Sequence, residues 1–209
     1  MCRIKEPSTF RMSGFVVLNR ILLSVVLLLV AIAVISYRSA TPNVNPALDA
    51  AVGKPCPQLD LVLLSSTGEL ERIPDLAPRT VTLLHCWGTW CGPCRIEYPE
   101  LAEMALSMEE SYAFRFVSIS CENRQNETLR GLHAKTQSFL DQHRIVGVAY
   151  ADPNGVTRRS IAERLGLDNL YYPTTILICP AGNIAAVWVG YDPGAVNEMK
   201  DTALALMSH

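Results

Sequence analysis

Beyond residue 38 the chain carries no basic cluster. Residues 39–209 hold 13 Lys and Arg against 19 Asp and Glu, a net charge of −6. Binding to a nucleic-acid backbone rests on clustered Lys and Arg, so nucleic acid is not an expected partner. Internal repeats and low-complexity tracts are missing too, which leaves one folded domain and an appendage for the 209 residues. Metal-ligand spacing is absent. Of the seven cysteines only Cys91 and Cys94 are close in sequence, and His85, His133, His143 and His209 stand at no matching interval. A zinc site needs a second ligand pair, so no metal and no cofactor is expected.

Long apolar runs are absent with one exception. Ile21–Tyr37 is a stretch of 17 residues without a charge, broken only by Ser24 and Ser36. That length is at the short edge of what spans a bilayer as a helix. Residues 1–38 carry five Lys and Arg and one acid, and the basic excess before the run places the N-terminal end inside and the remainder outside. A cleaved signal peptide is the rival reading. Tyr37 and Arg38 are poor cleavage neighbours, and Leu48-Asp49-Ala50 is a weak late candidate, so run length and flanks favour an anchor. Cys2 lacks a lipoprotein context and reads as an incidental cytosolic thiol. The expected organisation is a cytoplasmic segment over 1–20, a transmembrane anchor over 21–37, a Pro- and Asn-containing linker over 38–51, and a domain over 52–209.

What the chain does have is Trp90-Cys91-Gly92-Pro93-Cys94. It stands where the apolar run Val81–Trp87 gives way to a helical pattern over Arg95–Glu110, with Pro99 expected to kink that helix. Thiols on the first turn of a helix meet free backbone N–H groups and the positive end of its dipole, which stabilise a thiolate. Only the thiolate attacks disulfides, so the motif points to thiol–disulfide exchange. Cys86 and Cys179 lie in apolar runs and read as buried small hydrophobes. Cys56 and Cys121 stay open between pairing with each other and acting as resolving thiols.

Around the motif the pattern alternates. Strands are expected at Leu59–Leu64 and Glu69–Ile73, joined by a turn at Ser65-Ser66-Thr67-Gly68, then at Val81–Trp87, Phe114–Ser120, Val146–Ala151, Thr174–Cys179 and Ile184–Gly190. Further helices are expected from Leu129 to Leu140, over Val156–Leu165 and over Ala195–Met207. This order indicates a mixed sheet with helices on both faces.

Three stretches carry a family likeness. They are Val52-Gly53-Lys54-Pro55-Cys56-Pro57, Trp87 through Leu101 with Glu97, Pro99 and Glu100, and Leu165-Gly166 with Tyr172-Pro173-Thr174-Thr175-Ile176 and Gly182. Together they resemble the membrane-anchored TlpA/ResA-like thiol–disulfide oxidoreductases of bacteria, over residues 52 to about 207. The resemblance implies an α/β thioredoxin fold, with a central mixed β-sheet flanked by helices and an N-terminal β-hairpin extension, preceded by one transmembrane helix. It makes Cys91 the exposed nucleophile and Cys94 the thiol that resolves the mixed disulfide, cycling through a Cys91–Cys94 disulfide. Gly92 and Pro93 would set the potential of the pair. Pro173 matches the family's cis-proline, which presents the backbone of Tyr172 to a substrate segment. Trp87 and Trp90 would shield the thiols, with Trp87 equally readable as plain core.

Two positions depart from the pattern. His85 stands where thioredoxins commonly carry a buried Asp and TlpA-like proteins often an Asn, beneath the second cysteine. A neutral imidazole there is either a general base for Cys94 with a pKa near working pH or a core histidine. Thr174 stands where members dedicated to cytochrome c maturation often carry Glu. The resemblance implies a periplasmic reductase anchored in the cell inner membrane, acting on substrate proteins that bear a disulfide and fed by a membrane electron donor of thiol–disulfide type. Cytochrome c maturation is one such setting. Disulfide oxidation or isomerisation would use the same residues, and a thioredoxin-fold copper chaperone is a reading from another class. A peroxidase would need a Pro-x-x-x-Thr-x-x-Cys setting, which Pro78 to Cys91 does not supply.

Overall fold

The computed structural model describes residues 46–65, 79–122 and 127–208, together with Ser24 and Val26. Two units divide the chain, Met1–Val44 and Asn45–His209; in the first, Ser24 and Val26 are helical. The rest of the expected anchor over 21–37 lies outside the described residues, as does the second arm of the expected hairpin, Glu69–Ile73. Among the described residues no helix is long and apolar enough to cross a membrane.

The second unit is built on a six-stranded mixed sheet. Its elements run in the order α1 (Pro46–Asp49), β1 (Val62–Leu63), β2 (Val81–Trp87), α2 (Gly92–Glu109), β3 (Phe114–Ser120) and α3 (Leu129–His143). They continue with β4 (Tyr150–Ala151), α4 (Val156–Arg164), β5 (Thr174–Ile178), β6 (Ile184–Val189) and α5 (Ala195–Met207). The strand order across the sheet is β1-β4-β3-β2-β5-β6. All seven residues of β2 are buried, as an apolar run must be when both faces of its sheet are covered. It pairs parallel to β3, from Val81↔Phe114 to Trp87↔Ser120. Its other neighbour is β5, antiparallel, from Thr82↔Ile178 to Cys86↔Thr174.

Side chains of a strand alternate between faces, and β2 uses both. Leu84 and Cys86 join Ile161 and Leu165 at the α4 side. Val81 and Leu83 pack with Leu101, Met104 and Met108 of α2 and with Val196 and Met199 of α5. Cys86 therefore faces away from His85, as expected for adjacent strand positions.

Two elements are shorter than their apolar patterns suggest and a third is longer. β1 covers only Val62–Leu63, because the backbone N–H of Asp60 bonds Thr157 Oγ1 (2.8 Å) instead of a strand. It pairs with β4, Val62↔Ala151 and Leu63↔Tyr150. β4 is limited to Tyr150–Ala151 although Val146 and Val148 precede it; both are exposed. α2 starts earlier than the apolar spacing from Arg95 indicates and runs through Pro99.

Candidate active site

β2 delivers the chain at Trp87, a turn over Gly88–Trp90 follows, and α2 begins at once. Cys91 is the residue that caps this helix. Its backbone is extended, and the Cys94 backbone N–H donates to Cys91 Sγ at 3.2 Å. Pro93 sits in the first turn, where a missing N–H costs nothing. Cys91 and Cys94 are joined in a disulfide with Cα atoms 5.3 Å apart. Cys91 retains 6% exposure and Cys94 none. The expected exposed nucleophile is thus a nearly covered one, because Cys91 packs in a cluster with Trp87, Tyr98 and Phe139, against which Tyr172 rests.

The two tryptophans divide the work. Trp87 is fully buried, donates to Ser118 Oγ (2.8 Å) and stacks on Tyr98 with centroids 3.8 Å apart. Trp90 is 43% exposed, donates its indole N–H to the Cys121 carbonyl (2.9 Å), and meets the Tyr172 ring edge-on at 5.3 Å. Gly88 makes room for it: a Cβ there would lie 2.4 Å from Trp90 Nε1. The Tyr172–Pro173 peptide bond is cis, and the loop that contains it stands beside Trp90.

Between β2 and α2 two charged-type side chains meet without solvent. His85 is 0% exposed and Glu97 1%. Glu97 lies one helical turn after Cys94, on the same side of α2. His85 Nδ1 shares a 2.9 Å hydrogen bond with Thr175 Oγ1 and stands 3.8 Å from Glu97 Oε1. Burial pushes His85 down to about 3, which corrects the near-neutral value expected of a base; the imidazole is neutral. Burial, helped by Glu100, pushes the Glu97 carboxyl up to about 7. The 3.8 Å contact is therefore no ion pair at neutral pH. In the sequence Glu97 stands out only as part of a matching stretch. Its contact with His85 joins a strand to the helix after it, and the partner that holds His85, Thr175, is 90 residues away.

The remaining cysteines are free thiols: Cys86 and Cys121 buried, Cys56 and Cys179 half-buried. Cys56 donates to the Pro57 carbonyl at 3.4 Å, and burial pushes its thiol up to about 11. Cys86 and Cys121 adjoin one another and Tyr172, contacts that together with burial raise Cys86 and Tyr172 well above their usual values. Among the described residues no group of three or more His, Cys, Asp or Glu is placed to hold a metal ion.

A central strand feeding a helix capped by one cysteine of a disulfide, beside a cis-proline loop, defines a thioredoxin-like thiol–disulfide oxidoreductase. The chain belongs to the AhpC/TSA family, whose model matches residues 52–187. It is 30% identical over 173 residues to the thiol:disulfide interchange protein DsbE of Xylella fastidiosa strain Temecula1, covering 83% of this chain and 76% of that protein. Over 86 residues it is 35% identical to the thiol-disulfide oxidoreductase ResA of Geobacillus kaustophilus, covering 41% of this chain and 48% of that one. A thioredoxin-family thiol:disulfide interchange protein from Chlorobium tepidum superposes with a TM-score of 0.56 at 19% identity, over 74% of this chain and 96% of that chain. The secreted thiol-disulfide isomerase of Corynebacterium glutamicum gives 0.58 at 22%, over 74% and 86%. These two structures share the fold. The chain is an enzyme of the TlpA/ResA-like type in the thioredoxin superfamily, and its partners are proteins that bear disulfides.

Proposed function

We propose that this oxidoreductase is a protein-disulfide reductase, held in the bacterial inner membrane by residues 21–37 with residues 52–209 on the periplasmic side. The observation that carries the direction of attack is the asymmetry of the two sulfurs: Cys91 at the helix cap has the remaining access, and Cys94 has none. In the dithiol form the Cys91 thiolate attacks one sulfur of a partner disulfide, and the other partner sulfur leaves as a thiolate that takes a proton from solvent. Cys94, once deprotonated, attacks the Cys91 sulfur. That step expels the partner's second thiol and restores the Cys91–Cys94 disulfide. Two electrons pass from the chain to the partner. A membrane donor of thiol–disulfide type returns the pair to the dithiol.

Cys94 must lose a proton inside a closed site. Glu97 is the acceptor in this reading: it is buried, one turn away, and its carboxyl titrates near neutral pH. His85, neutral and hard to protonate, does not take that part. The Tyr172 backbone lines up with the partner's segment as an added strand would, and Trp90 stacks over the same segment. Beside Thr89 and Arg95 a cleft of about 410 Å³, bounded also by Lys135, Ser138, Phe139 and Gln142, accommodates residues flanking the partner's disulfide. Cytochrome c maturation is one candidate pathway for the partner, with Thr174, where members dedicated to it often carry Glu, standing against it. A disulfide-form Cys-x-x-Cys-His peptide should then be reduced faster than an unrelated disulfide peptide, and equal rates would remove that assignment.

Reduction rather than oxidation follows from the compartment, where disulfides persist unless actively reduced. Equilibration with glutathione buffers tests it. A potential near −270 mV fits the reductase, and one near −120 mV makes the enzyme an oxidase.

A further inference from the structure

Glu97 and His85 form an incomplete contact. Among the described residues the buried side-chain N and O atoms without a hydrogen-bond partner are Thr82 Oγ1, His85 Nε2 and both carboxyl oxygens of Glu97. Three of the four belong to this pair. Buried polar atoms are nearly always bonded, and a bare buried carboxylate is among the costliest exceptions. Among the described residues the groups facing the pair supply no permanent cation. On α2 they are Glu100, which opposes ionisation of Glu97, and Tyr98, whose phenol lies with its ring centroid 5.7 Å from that of His85 and is pushed up to about 12. From β3 comes the Ser118 hydroxyl, bonded to Tyr98 and Trp87. From β5 comes Thr175. Among the described residues, His85 is the one base within ion-pair range of Glu97.

We propose that His85 is the built-in counter-group of the Glu97 carboxylate, turning its Nδ1–H from Thr175 Oγ1 to Glu97 Oε1 when Glu97 gives up its proton. The inference rests on the reading above in which Glu97 takes the proton of Cys94, and it assigns His85 as a positioning residue that sets the pH at which Glu97 can do so. The geometry suits the switch. Nδ1 is already on the side of Oε1, only 3.8 Å away, and its present partner is a hydroxyl that can serve as donor or acceptor. The imidazole stays neutral throughout, so no second charge is buried. A hydrogen bond to a charged group lowers the ionisation point of that carboxyl by about one to two pH units relative to a site without the donor.

The test reads the Glu97 carboxyl by ¹³C NMR against pH in the full-length disulfide form, where Cys91 and Cys94 do not titrate. The pH profile of thiol alkylation in the dithiol form accompanies it. His85→Leu should raise the Glu97 inflection by about one to two pH units, while His85→Asn, which keeps an N–H donor near the Nδ1 position, should hold it near the wild-type value. Thr175→Val frees the N–H for Glu97 and should move the inflection down, which keeps the proposal testable if the leucine variant does not fold. An inflection at the wild-type pH in His85→Leu, or one unmoved or raised in Thr175→Val, overturns the proposal. Glu97→Gln separates the two levels. If it abolishes the neutral-pH step in alkylation, the Glu97 reading holds whatever His85 does; if the step persists, that reading fails and the role of His85 falls with it.

Discussion

Glu97 and His85 pull stability in opposite directions with pH. Glu97 binds its proton more tightly folded (about 7) than unfolded (4.5), so its stabilising contribution is complete below pH 4.5 and is lost as pH rises through 7. His85 refuses a proton when folded (about 3) that the unfolded chain accepts below 6.5, so stability falls as pH drops from 6.5 toward 3. The disulfide form should therefore be most stable between roughly pH 4.5 and 6.5. Because the two slopes cancel in the wild type, Glu97→Gln should leave the His85 contribution uncancelled, so that stability climbs from pH 4.5 to 6.5 by up to roughly 3 kcal/mol, at about 1.4 kcal/mol per pKa unit, in urea unfolding across that range. A profile as level as wild type would show that Glu97 makes no such contribution. At Gly88 the effect is steric. Gly88→Ala should displace Trp90 from the Cys121 carbonyl and cost about 1 kcal/mol; loss of the protected Trp90 indole N–H signal, together with a lower Tm, checks it.

Helix starts carry the element-scale energetics. α4 begins with Gly155 at φ 64°, and its first turn is capped from outside by buried Asp152, which accepts from the backbone N–H groups of Thr157 (3.2 Å) and Arg158 (2.8 Å) and pairs with Arg158 Nε (3.3 Å). Asp152→Ala leaves those donors and the half-buried guanidinium short of a partner and should cost about 3 kcal/mol. On α3, Thr128 accepts from the Gly131 N–H at 3.1 Å, and Thr128→Ala should cost only about 1 kcal/mol. Chemical denaturation of both variants checks the ranking. Elements of this kind were legible where apolar periodicity decides them: β2, β3 and α5 have the bounds their patterns indicate. The start of α2 was not, because Cys91, Gly92 and Pro93 form its first turn through a cap and a fixed φ rather than through apolar spacing. β4 was overread from Val146 because a strand also needs a neighbour to bond, and β1 offers two residues. The cysteine pair lies within four consecutive residues and is visible in the sequence. The meeting of His85, Glu97 and Thr175 exists only after β2, α2 and β5 pack.

At the scale of the whole molecule the proposed anchor over residues 21–37 makes membrane attachment testable. The net charge changes sign across the run 21–37, +4 through residue 38 and −6 after it, as expected of a chain that keeps its basic end inside. In intact cells the full-length protein should fractionate with membranes, resist carbonate extraction and yield to detergent. Residues 52–209 should be digestible from the periplasmic side alone; a freely released domain would mean the run is cleaved. The central claim is that Cys91 attacks and Cys94 resolves. Its most direct test is Cys94→Ser in the full-length protein, followed by non-reducing separation. Stable mixed disulfides through Cys91 are expected, which vanish with reductant and are absent from the Cys91→Ser chain. Adducts carried by Cys91→Ser instead, or none from Cys94→Ser while wild-type thiols react, would contradict it.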